Sequence, residues 1–303
     1  MFDILVAGEI NPDLILTGDV IPSFKQVEKL VDSAVLSIGS SSAIFACGAA
    51  RLGMKVAFIG KCGSDVFGQF MLDEMSKRNI DVSNVIVDDS GSTGISVILN
   101  RESDRAILTF PGLIPCLKVV EISDNLLRQA HHLHVASYFM QKALQPGLPG
   151  LFKRARTFGL TTSLDTNYDP SENWVGLDEL LKETNVFFPN ETEACSITGL
   201  KNVDLAADQL SAKMETLAVK LGSKGALGVN KDQKIMVPPI QIKLVDTIGA
   251  GDSFDAGFLY GYLNGWTLEK SLKAANICGA LSTQAFGGTT SQPTVDEVLH
   301  ELS

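Results

Sequence analysis

The chain has 303 residues, of which 45% are hydrophobic and 20% are charged, and its formal net charge is −10. This length and composition suit a globular protein with a sizeable core, folded as one large α/β domain or two small ones. The strong negative charge excludes a broad basic face for nucleic acid or for an anionic membrane surface, so we expect neither partner.

The first residues predict a strand and not a signal peptide. The apolar run from Ile4 to Ala7 is short, Asp3 stands before it, and no basic region precedes it. No apolar stretch approaches the roughly 20 residues needed to cross a bilayer. The five cysteines are scattered and lack CxxC pairs, which argues against disulfides and zinc. We therefore expect a reduced, cytoplasmic protein.

Short apolar runs alternate along the chain with longer helical patterns. The predicted strands are 4–7, 56–59, 133–136, 160–164, 186–188 and 216–221. The predicted helices are 41–52, 66–78, 147–158, 205–214, 249–264 and 268–286. The alternation indicates an α/β fold with a mostly parallel central sheet flanked by helices, in which ligands bind at the carboxyl ends of the strands.

Two insertions, about residues 14–37 and 90–112, interrupt this alternation with strand-like patterns. Within the second, 93–99 and 105–110 predict a hairpin whose turn is 101–104. A small β-sheet lid on a single domain of residues 1–303 accommodates both insertions, and lids commonly exclude water from phosphoryl-transfer sites. An exposed edge of such a lid would allow a homodimer.

The most informative segment runs from Asp246 to Leu259, where the small residues Gly249-Ala250-Gly251 lead through Asp252 into an apolar helix. Such a turn exposes backbone N–H groups at a helix N-terminus, and these stabilise negative charge on a transferring phosphoryl group. Asp252 stands where it can accept the proton of an attacking hydroxyl. A short GxGD by itself is also compatible with a plain turn and helix cap.

This run resembles the C-terminal signature of the PfkB, or ribokinase-like, family of carbohydrate kinases, and the resemblance extends in the family's order over nearly the whole chain. It implies a ribokinase-like fold and transfer of the γ-phosphoryl group of ATP, with Mg²⁺, to a sugar or sugar derivative. It also implies that Asp252 is the catalytic base and that Gly249, Ala250 and Gly251 form the anion hole. Asp246 is implied as a candidate ligand of a monovalent cation, K⁺.

Asn11 and Asp13 follow the first strand and resemble the family's segment that holds substrate hydroxyls. An amide and a carboxylate together suit a diol, although Asn-Pro-Asp is also a common turn. In the predicted lid, Arg101 and Arg105 are candidate ligands of an acidic or phosphorylated substrate, and the alternative is a solvated hairpin.

Gly39 and Ser40 begin a segment similar to the family's N-terminal signature, but the chain departs from it twice. The family usually has a second glycine and an Asn where this chain has Ser40 and Ile44. Those positions touch the substrate in the family. The loss of an amide there leaves the identity of the sugar open.

Two further segments resemble parts of the family's phosphate and metal site. Asp165 and Asn167 follow a strand and resemble the family's DxN segment, and a strand-end turn explains them equally well. Asn190 and Glu193 resemble the NxxE motif that positions magnesium, most simply through water. The same spacing is that of a helix capping box.

The predicted nucleotide contacts lie nearer the carboxyl terminus. The turn that resembles the family's ATP-contacting loop consists of Lys220, Gly222, Ser223, Lys224 and Gly225. An ordinary strand-turn-strand with a solvated lysine explains this segment as well. Asn276 lies in the region where the family packs adenine, as does the segment 286–289, which a glycine-rich helix exit also explains.

Other readings of the sequence remain open. A nucleoside or inositol kinase would use the same catalytic end, and a sugar-binding regulatory relative without activity would not need the base. A dinucleotide-dependent oxidoreductase is disfavoured because the first strand is not followed by GxGxxG. His132 and His134 share a face in extended structure, but no partner at metal-ligand spacing accompanies them.

Overall fold

The computed structural model describes residues 1–101 and 104–303. In chain order its strands are β1 (Phe2–Ala7), β2 (Pro12–Thr17), β3 (Ser33–Ile38), β4 (Val56–Ile59), β5 (Lys61–Cys62), β6 (Ile80–Asp81), β7 (Ile86–Val87), β8 (Ile95–Arg101), β9 (Asp104–Phe110), β10 (Ala130–Val135), β11 (Thr161–Leu164), β12 (Val186–Phe187), β13 (Thr216–Lys220), β14 (Ala226–Asn230) and β15 (Lys234–Val237). The helices are α1 (Ser41–Arg51), α2 (Val66–Ser76), α3 (Asp124–Leu127), α4 (Leu148–Thr157), α5 (Asp178–Leu181), α6 (Glu191–Thr198), α7 (Val203–Ser211), α8 (Ala250–Leu263), α9 (Leu268–Leu281) and α10 (Val295–Leu302).

The central sheet has nine strands in the order β15-β14-β13-β12-β11-β10-β1-β4-β6. The strands from β13 to β6 pair in parallel, whereas β14 and β15 add an antiparallel edge. This confirms the predicted mostly parallel sheet. The pairing of β13 with β14 agrees with the strand-turn-strand alternative for the turn at Gly222. Strand β15 was not predicted, because it is largely exposed and its sequence shows no continuous apolar run.

The core has two halves, one on each face of the central sheet. In β1, Ile4 and Val6 belong to the half that contains α1, α8 and α9, whereas Leu5 and Ala7 belong to the half that contains α4. Side chains of a strand alternate between the two faces of a sheet. A strand covered on both faces therefore reads as a continuous apolar run, which is why β1 was predictable.

A separate sheet of four strands, in the order β3-β2-β8-β9, stands beside the central sheet. It is built from the two predicted insertions, and β8 and β9 form the predicted hairpin. The turn predicted at 101–104 includes two residues outside the described part of the chain. Strand β2 pairs in parallel with β8 and antiparallel with β3, so β3 and β9 are the two edges.

The connections between the two sheets bring several elements to one place. Strand β2 begins shortly after the carboxyl end of β1, and α1 begins shortly after β3. Residues between these elements therefore lie where the small sheet meets the carboxyl ends of the central strands. Among residues 1–101 and 104–303, no helix is long and apolar enough to span a bilayer.

Candidate active site

A cavity of about 590 Å³ lies between the central sheet and the small sheet. Five polar residues that line it each follow, or end, a different parallel strand: Glu9 (β1), Ser137 (β10), Asp165 (β11), Asn190 (β12) and Lys220 (β13). The opposite wall comes from the small sheet and includes Asp13, Ser96 and Arg105. The cavity thus occupies the edge of the sheet at which α/β proteins bind ligands.

The glycine turn before α8 lines this cavity through Gly249 and Gly251, whereas Ala250 does not. Gly249 is the residue before α8 and has a left-handed φ of 72°. A Cβ atom there would lie 2.8 Å from the Cα of Gly288 and 2.8 Å from Cγ2 of Ile44. Only glycine fits this turn, and its shape leaves the first N–H groups of α8 without helical acceptors, in the way that helix ends bind anions.

Asp252 lies in the first turn of α8, lines the cavity and is 7% exposed. Burial raises the pKa of Asp252 well above its usual value, and the negative charge of Asp165 acts in the same direction. The positive charge of Lys220 lowers this pKa, the charge of Glu9 raises it, and the nearby Ser41 hydroxyl lowers it. A carboxylate with a raised pKa is a stronger proton acceptor in its charged form.

Lys220 is the centre of a buried ion cluster beneath the glycine turn. Its Nζ lies 2.6 Å from Oδ2 of Asp165 and 3.3 Å from Oδ1 of Asp255. Burial acts to lower the pKa of Lys220, but the charges of Asp165 and Asp255 outweigh it and hold the pKa above its ordinary value. A Cβ atom built on Gly251 would lie 3.5 Å from this Nζ, so the ammonium group stands close to the predicted anion hole.

The residues predicted to bind the substrate lie together on the side of the small sheet. Asn11 Nδ2 lies 3.5 Å from Oδ1 of Asp13 and 3.4 Å from Oγ of Ser96. Gly39 does not line the cavity but supports it, because a Cβ atom there would lie 2.1 Å from Oδ1 of Asp13. Burial raises the pKa of Asp13 to about 7, against the lowering effect of the Arg105 charge.

Arg105 reaches from β9 across the cavity toward Asp246. Its guanidinium nitrogen lies 3.5 Å from Oδ1 of Asp246, and the side chain is one third exposed. The carboxylate of Asp246 also accepts the N–H groups of Ile248 and Gly287, each at 3.0 Å. Asp246 does not line the cavity; it holds the loop that precedes α8.

Ser40 lines the cavity in a backbone conformation that disfavours side chains, with φ 65° and ψ 121°. Its hydroxyl caps α1 by accepting the N–H of Ala43 at 3.1 Å and donates to the carbonyl of Glu9 at 2.6 Å. These bonds hold Ser40 in a backbone conformation that glycine adopts freely, at the position where the family's N-terminal signature usually has glycine. Such strain is typical of functional sites and costs about 1–3 kcal/mol.

Asn190 and Glu193 form a capping box and also line the cavity. Asn190 Oδ1 accepts the N–H of Glu193 at 2.9 Å, and Glu193 Oε2 accepts the N–H of Asn190 at 2.8 Å. Burial raises the pKa of Glu193 to about 7, and Asp165 adds to the rise. Within the described residues no group of three metal-binding side chains occurs. This oxygen-rich pair, already bonded to its own helix, fits Mg²⁺ held through water.

The predicted nucleotide residues are only partly brought together. Lys220 and Gly222 line the cavity, whereas Ser223, Lys224, Gly225 and Asn276 do not. Lys224 is exposed and pairs with Glu191 at 2.7 Å. Asn276 is buried and donates its amide to the carbonyl of Pro238 at 2.9 Å.

Several cavity residues were not singled out from the sequence as site residues, namely Glu9, Ser41, Ser96, Ser137 and Tyr168. Asp165 and Asn167, which the sequence left open between a phosphate site and a turn, both line the cavity. Their position in the sequence could have identified two of them, because Glu9 and Ser137 each lie two residues beyond the end of a parallel strand.

His132 and His134 lie in the core beneath the site. Both rings bond to the hydroxyl of Ser163 at 2.7 Å, and the ring of His134 stacks on Phe45 with centroids 3.7 Å apart. Both imidazoles are fully buried. Their surroundings are those of core histidines.

The fold is that of ribokinase-like proteins. A putative ribokinase II from E. coli, solved with ATP and Mg²⁺, superposes with a TM-score of 0.88 at 19% identity, over 100% of this chain and 99% of that one. A relative from Archaeoglobus fulgidus, an uncharacterized sugar kinase, is 31% identical over 81% of this chain and 98% of its own length.

A second relative, the ATP-dependent ribose-1-phosphate kinase of Halopiger xanaduensis, is 29% identical over 100% of this chain and 99% of its own length. Residues 1–295 match the pfkB family carbohydrate kinase. The chain belongs to the pfkB family of carbohydrate kinases.

Proposed function

We propose that the chain transfers the γ-phosphoryl group of ATP to a hydroxyl of a sugar or sugar derivative, with Asp252 as the general base. The observation that carries the proposal is the place of Asp252, at the N-terminal turn of α8 and in the same cavity as Asn11 and Asp13. A base, an anion-stabilising helix end and an acceptor-binding edge in one cavity are the parts that in-line phosphoryl transfer requires.

In the proposed step, the charged carboxylate of Asp252 accepts the acceptor's hydroxyl proton while the hydroxyl oxygen bonds to the γ-phosphorus. The bond from that phosphorus to the bridging oxygen breaks, and ADP leaves. The N–H groups of the 249–251 turn and the dipole of α8 stabilise the negative charge in transit. The ammonium group of Lys220, beside Gly251, adds positive charge at the same place.

For the nucleotide we propose the turn after β13, where Gly222 lines the cavity. Ser223, Lys224 and Gly225 continue this turn outside the cavity, and Asn276 joins α9 to the end of β15. Asn190 and Glu193 would hold Mg²⁺ through water, and the bound ion would neutralise charge on the phosphates.

The acceptor site has a polar and an apolar part. Asn11, Asp13 and Ser96 present an amide, a carboxylate and a hydroxyl, which suit neighbouring hydroxyl groups. The apolar side chains of the wall are those of Ile44, Ile98, Ile107, Ile114, Met140 and Ile248. Arg105 is the lid's cation in this cavity, and we propose that it meets any acidic or phosphate group on the acceptor.

A nucleoside acceptor is the second candidate, and one observation favours it. Tyr168 lines the cavity and is 52% exposed, and the apolar wall adds a surface for a base. An aromatic ring and aliphatic side chains are the usual surfaces on which bases stack. The sugar proposal places the same acceptor hydroxyl at Asp252, so the two candidates differ only in what fills the apolar part.

The test is ATP-to-ADP turnover with Mg²⁺ across ketoses, aldoses, sugar acids, sugar phosphates, inositols and nucleosides, with Asp252→Asn as the blank. Turnover with one class, lost in the blank, supports the kinase and identifies its acceptor. If Asp252→Asn kept a normal kcat, Asp252 would not be the general base. Silence across the panel with ATP still bound would favour a regulatory relative. Replacing K⁺ by tetramethylammonium in the same assay tests a monovalent ion at Asp246.

We further propose that the small sheet is the lid of a single domain and that two lids pair in a homodimer. Strand β9 is exposed along its length and carries Ile107, Leu108 and Phe110, each more than half exposed. On the other edge, Val35 of β3 is 49% exposed. Exposed apolar edge strands are ready to pair with another chain. Leu108→Lys should turn a dimer into a monomer in analytical ultracentrifugation, and a wild-type monomer would refute the pairing.

A further inference from the structure

A second cavity, of about 570 Å³, lies at the surface between the end of α1, the end of α2 and the segment 289–294 that precedes α10. The described residues that line it are different from those that line the candidate active site. Three cations line it, Arg51, Lys77 and Arg78, and among residues 1–101 and 104–303 no carboxylate does. Its volume is within the range of small-molecule sites.

The cations of this second cavity are only partly neutralised. Lys77 and Arg78 share the carboxylate of Glu74, each at 2.7 Å. Arg51 is exposed and has no carboxylate within ion-pair distance in the described part of the chain. The whole chain has a formal net charge of −10, so this local excess of positive charge does not follow from its composition. An excess of positive charge in a cavity attracts anions.

The polar groups around the second cavity suit an oxyanion. The Arg51 guanidinium has five N–H donors in a planar fork, which matches two oxygens of a phosphate group. Asn79 and Thr289 add an amide and a hydroxyl to the lining. The Thr294 hydroxyl donates to Glu297 at 2.8 Å, so this neighbouring carboxylate is engaged by the cap of its own helix. A phosphate group is therefore the ligand chemistry that the second cavity fits best.

Helix-end electrostatics explains only part of this arrangement. Arg51 lies in the last turn of α1, where a cation also stabilises the helix end. Arg156 has the same place in α4, but there it pairs with Glu183 at 3.1 Å. The helix-end effect does not require cations from two helices to line one cavity. The convergence of α1 and α2 on the second cavity therefore indicates a site.

One wall of the second cavity also supports the glycine turn of the candidate active site. Gln292 lines the cavity, and its Nε2 donates to Oγ of Ser253, the residue after the proposed base, at 3.0 Å. Gly288 directly precedes the segment 289–294, and its Cα would lie 2.8 Å from a Cβ atom built on Gly249. The segment that lines the second cavity thus contacts the turn proposed to bind the phosphates of ATP.

We propose that the second cavity is a binding site for a phosphate group, either inorganic phosphate or the phosphate ester of a small metabolite, and that its occupancy strengthens ATP binding at the glycine turn. Arg51 and Arg78 bind the phosphate oxygens, and Lys77 adds positive charge. A ligand that holds the segment before α10 in place also holds Gly288 against Gly249, so the turn is already ordered when ATP binds. The coupling rests on the proposed nucleotide site, whereas the binding of phosphate does not.

Isothermal titration calorimetry tests the site with two probes, inorganic phosphate and glycerol 3-phosphate. We expect Arg51→Met to weaken the binding of the tighter probe by about tenfold or more, because charged hydrogen bonds are lost. Arg156→Met, the same change in the last turn of α4 on the other face of the central sheet, should bind the probe as the wild type does. An affinity for inorganic phosphate at least equal to that for the ester would identify free phosphate as the ligand. Tighter binding of the ester would identify a phosphorylated metabolite.

A second variant keeps the proposal falsifiable if Arg51→Met folds poorly. Arg78→Met removes the other guanidinium at the end of α2, and we expect a similar loss of affinity for the probe. Lys77 remains in this variant to pair with Glu74, so the carboxylate keeps a cation.

The coupling is measured as the Kd of a non-hydrolysable ATP analogue with Mg²⁺, without the probe and with the probe at saturation. We expect this Kd to fall about fivefold in the wild type and in Arg156→Met, and to stay unchanged in Arg51→Met. Absence of probe binding, unchanged binding in both Arg51→Met and Arg78→Met, or an analogue Kd that the probe does not lower would overturn the proposal. Failure of the analogue to bind at all would instead overturn the proposed function, because binding of the probe does not involve the nucleotide.

Discussion

Replacing Lys220 by methionine tests the buried ion cluster through stability alone. The substitution keeps much of the side chain's length but leaves Asp165 and Asp255, each 1% exposed, without their cation. At an effective dielectric of about 20, unit charges at the 2.6 Å and 3.3 Å separations seen here attract by about 6 and 5 kcal/mol. The cost of desolvating the ions offsets much of this attraction. Breaking a buried pair usually costs about 3–5 kcal/mol, and we expect that loss in the free energy of unfolding at pH 8.

The loss should depend on pH in one direction. Burial already raises the pKa of Asp255 well above its usual value, against the lowering effect of the Lys220 charge. Burial also acts to raise the pKa of Asp165, but the Lys220 charge holds it below its ordinary value. Without Lys220, both carboxyl groups should therefore have higher pKa values in the folded chain than in the unfolded one. Their charged forms then destabilise the folded chain most at high pH. The difference between variant and wild type should shrink as the pH falls from 8 toward 5, because protonation removes the unpaired charge.

Guanidinium denaturation at several pH values measures this loss, and the chain offers a matched control. Lys224 forms a single ion pair with Glu191 at 2.7 Å on the surface, so Lys224→Met should change the stability very little. Adding Asp255→Asn to Lys220→Met should recover part of the loss. A Lys220→Met variant as stable as Lys224→Met, or a loss that is independent of pH, would refute the reasoning.

Three smaller substitutions test the buried imidazole, the strained serine and the crowded glycine. Burial lowers the pKa of His134 to about 3, below the unfolded value of about 6.5. The unfolded chain therefore binds more protons between these two pH values, and the free energy of unfolding falls as the pH drops below about 6.5. In denaturation curves, His134→Gln should make this fall less steep, whereas the same change at the exposed His300 should not. Ser40→Gly should be more stable than Ser40→Ala by about 1–2 kcal/mol because only glycine relaxes at this backbone, and equal stabilities would show that the position is unstrained. Gly39→Ala would place a methyl group 2.1 Å from Oδ1 of Asp13, so the acceptor's KM should rise roughly tenfold while ATP binding is kept; an unchanged KM would contradict this role of Asp13.

The central sheet was predictable because burial on both faces leaves a direct trace in the sequence. The four residues Ile4 to Ala7 are all apolar since each faces one half of the core. The hairpin of β14 and β15 left no such trace. Its outer strand, Lys234–Val237, is mostly exposed. This strand pairs with β14 because β14 offers a free sheet edge, and no pattern within Lys234–Val237 predicts that pairing.

The site was predictable as a set of segments but not as a set of contacts. Asp13, Asn190, Lys220 and Asp252 come together because each stands at a strand end or a helix start, which the sequence reveals. The bond between Glu9 and Ser137 joins positions 128 residues apart. No local pattern encodes such a bond, because the packing of two neighbouring strands brings the partners together.

The division of the cavity between two sheets also bears on how acceptor choice can change during evolution. Asp13, Ser96 and Arg105 lie on β2, β8 and β9, whereas Asp252 lies on α8, which packs against the central sheet. Substitutions in the small sheet can therefore alter the proposed acceptor-binding wall without moving the proposed base. The small sheet is thus the part of the molecule in which relatives can differ in acceptor while the proposed phosphoryl-transfer residues stay the same.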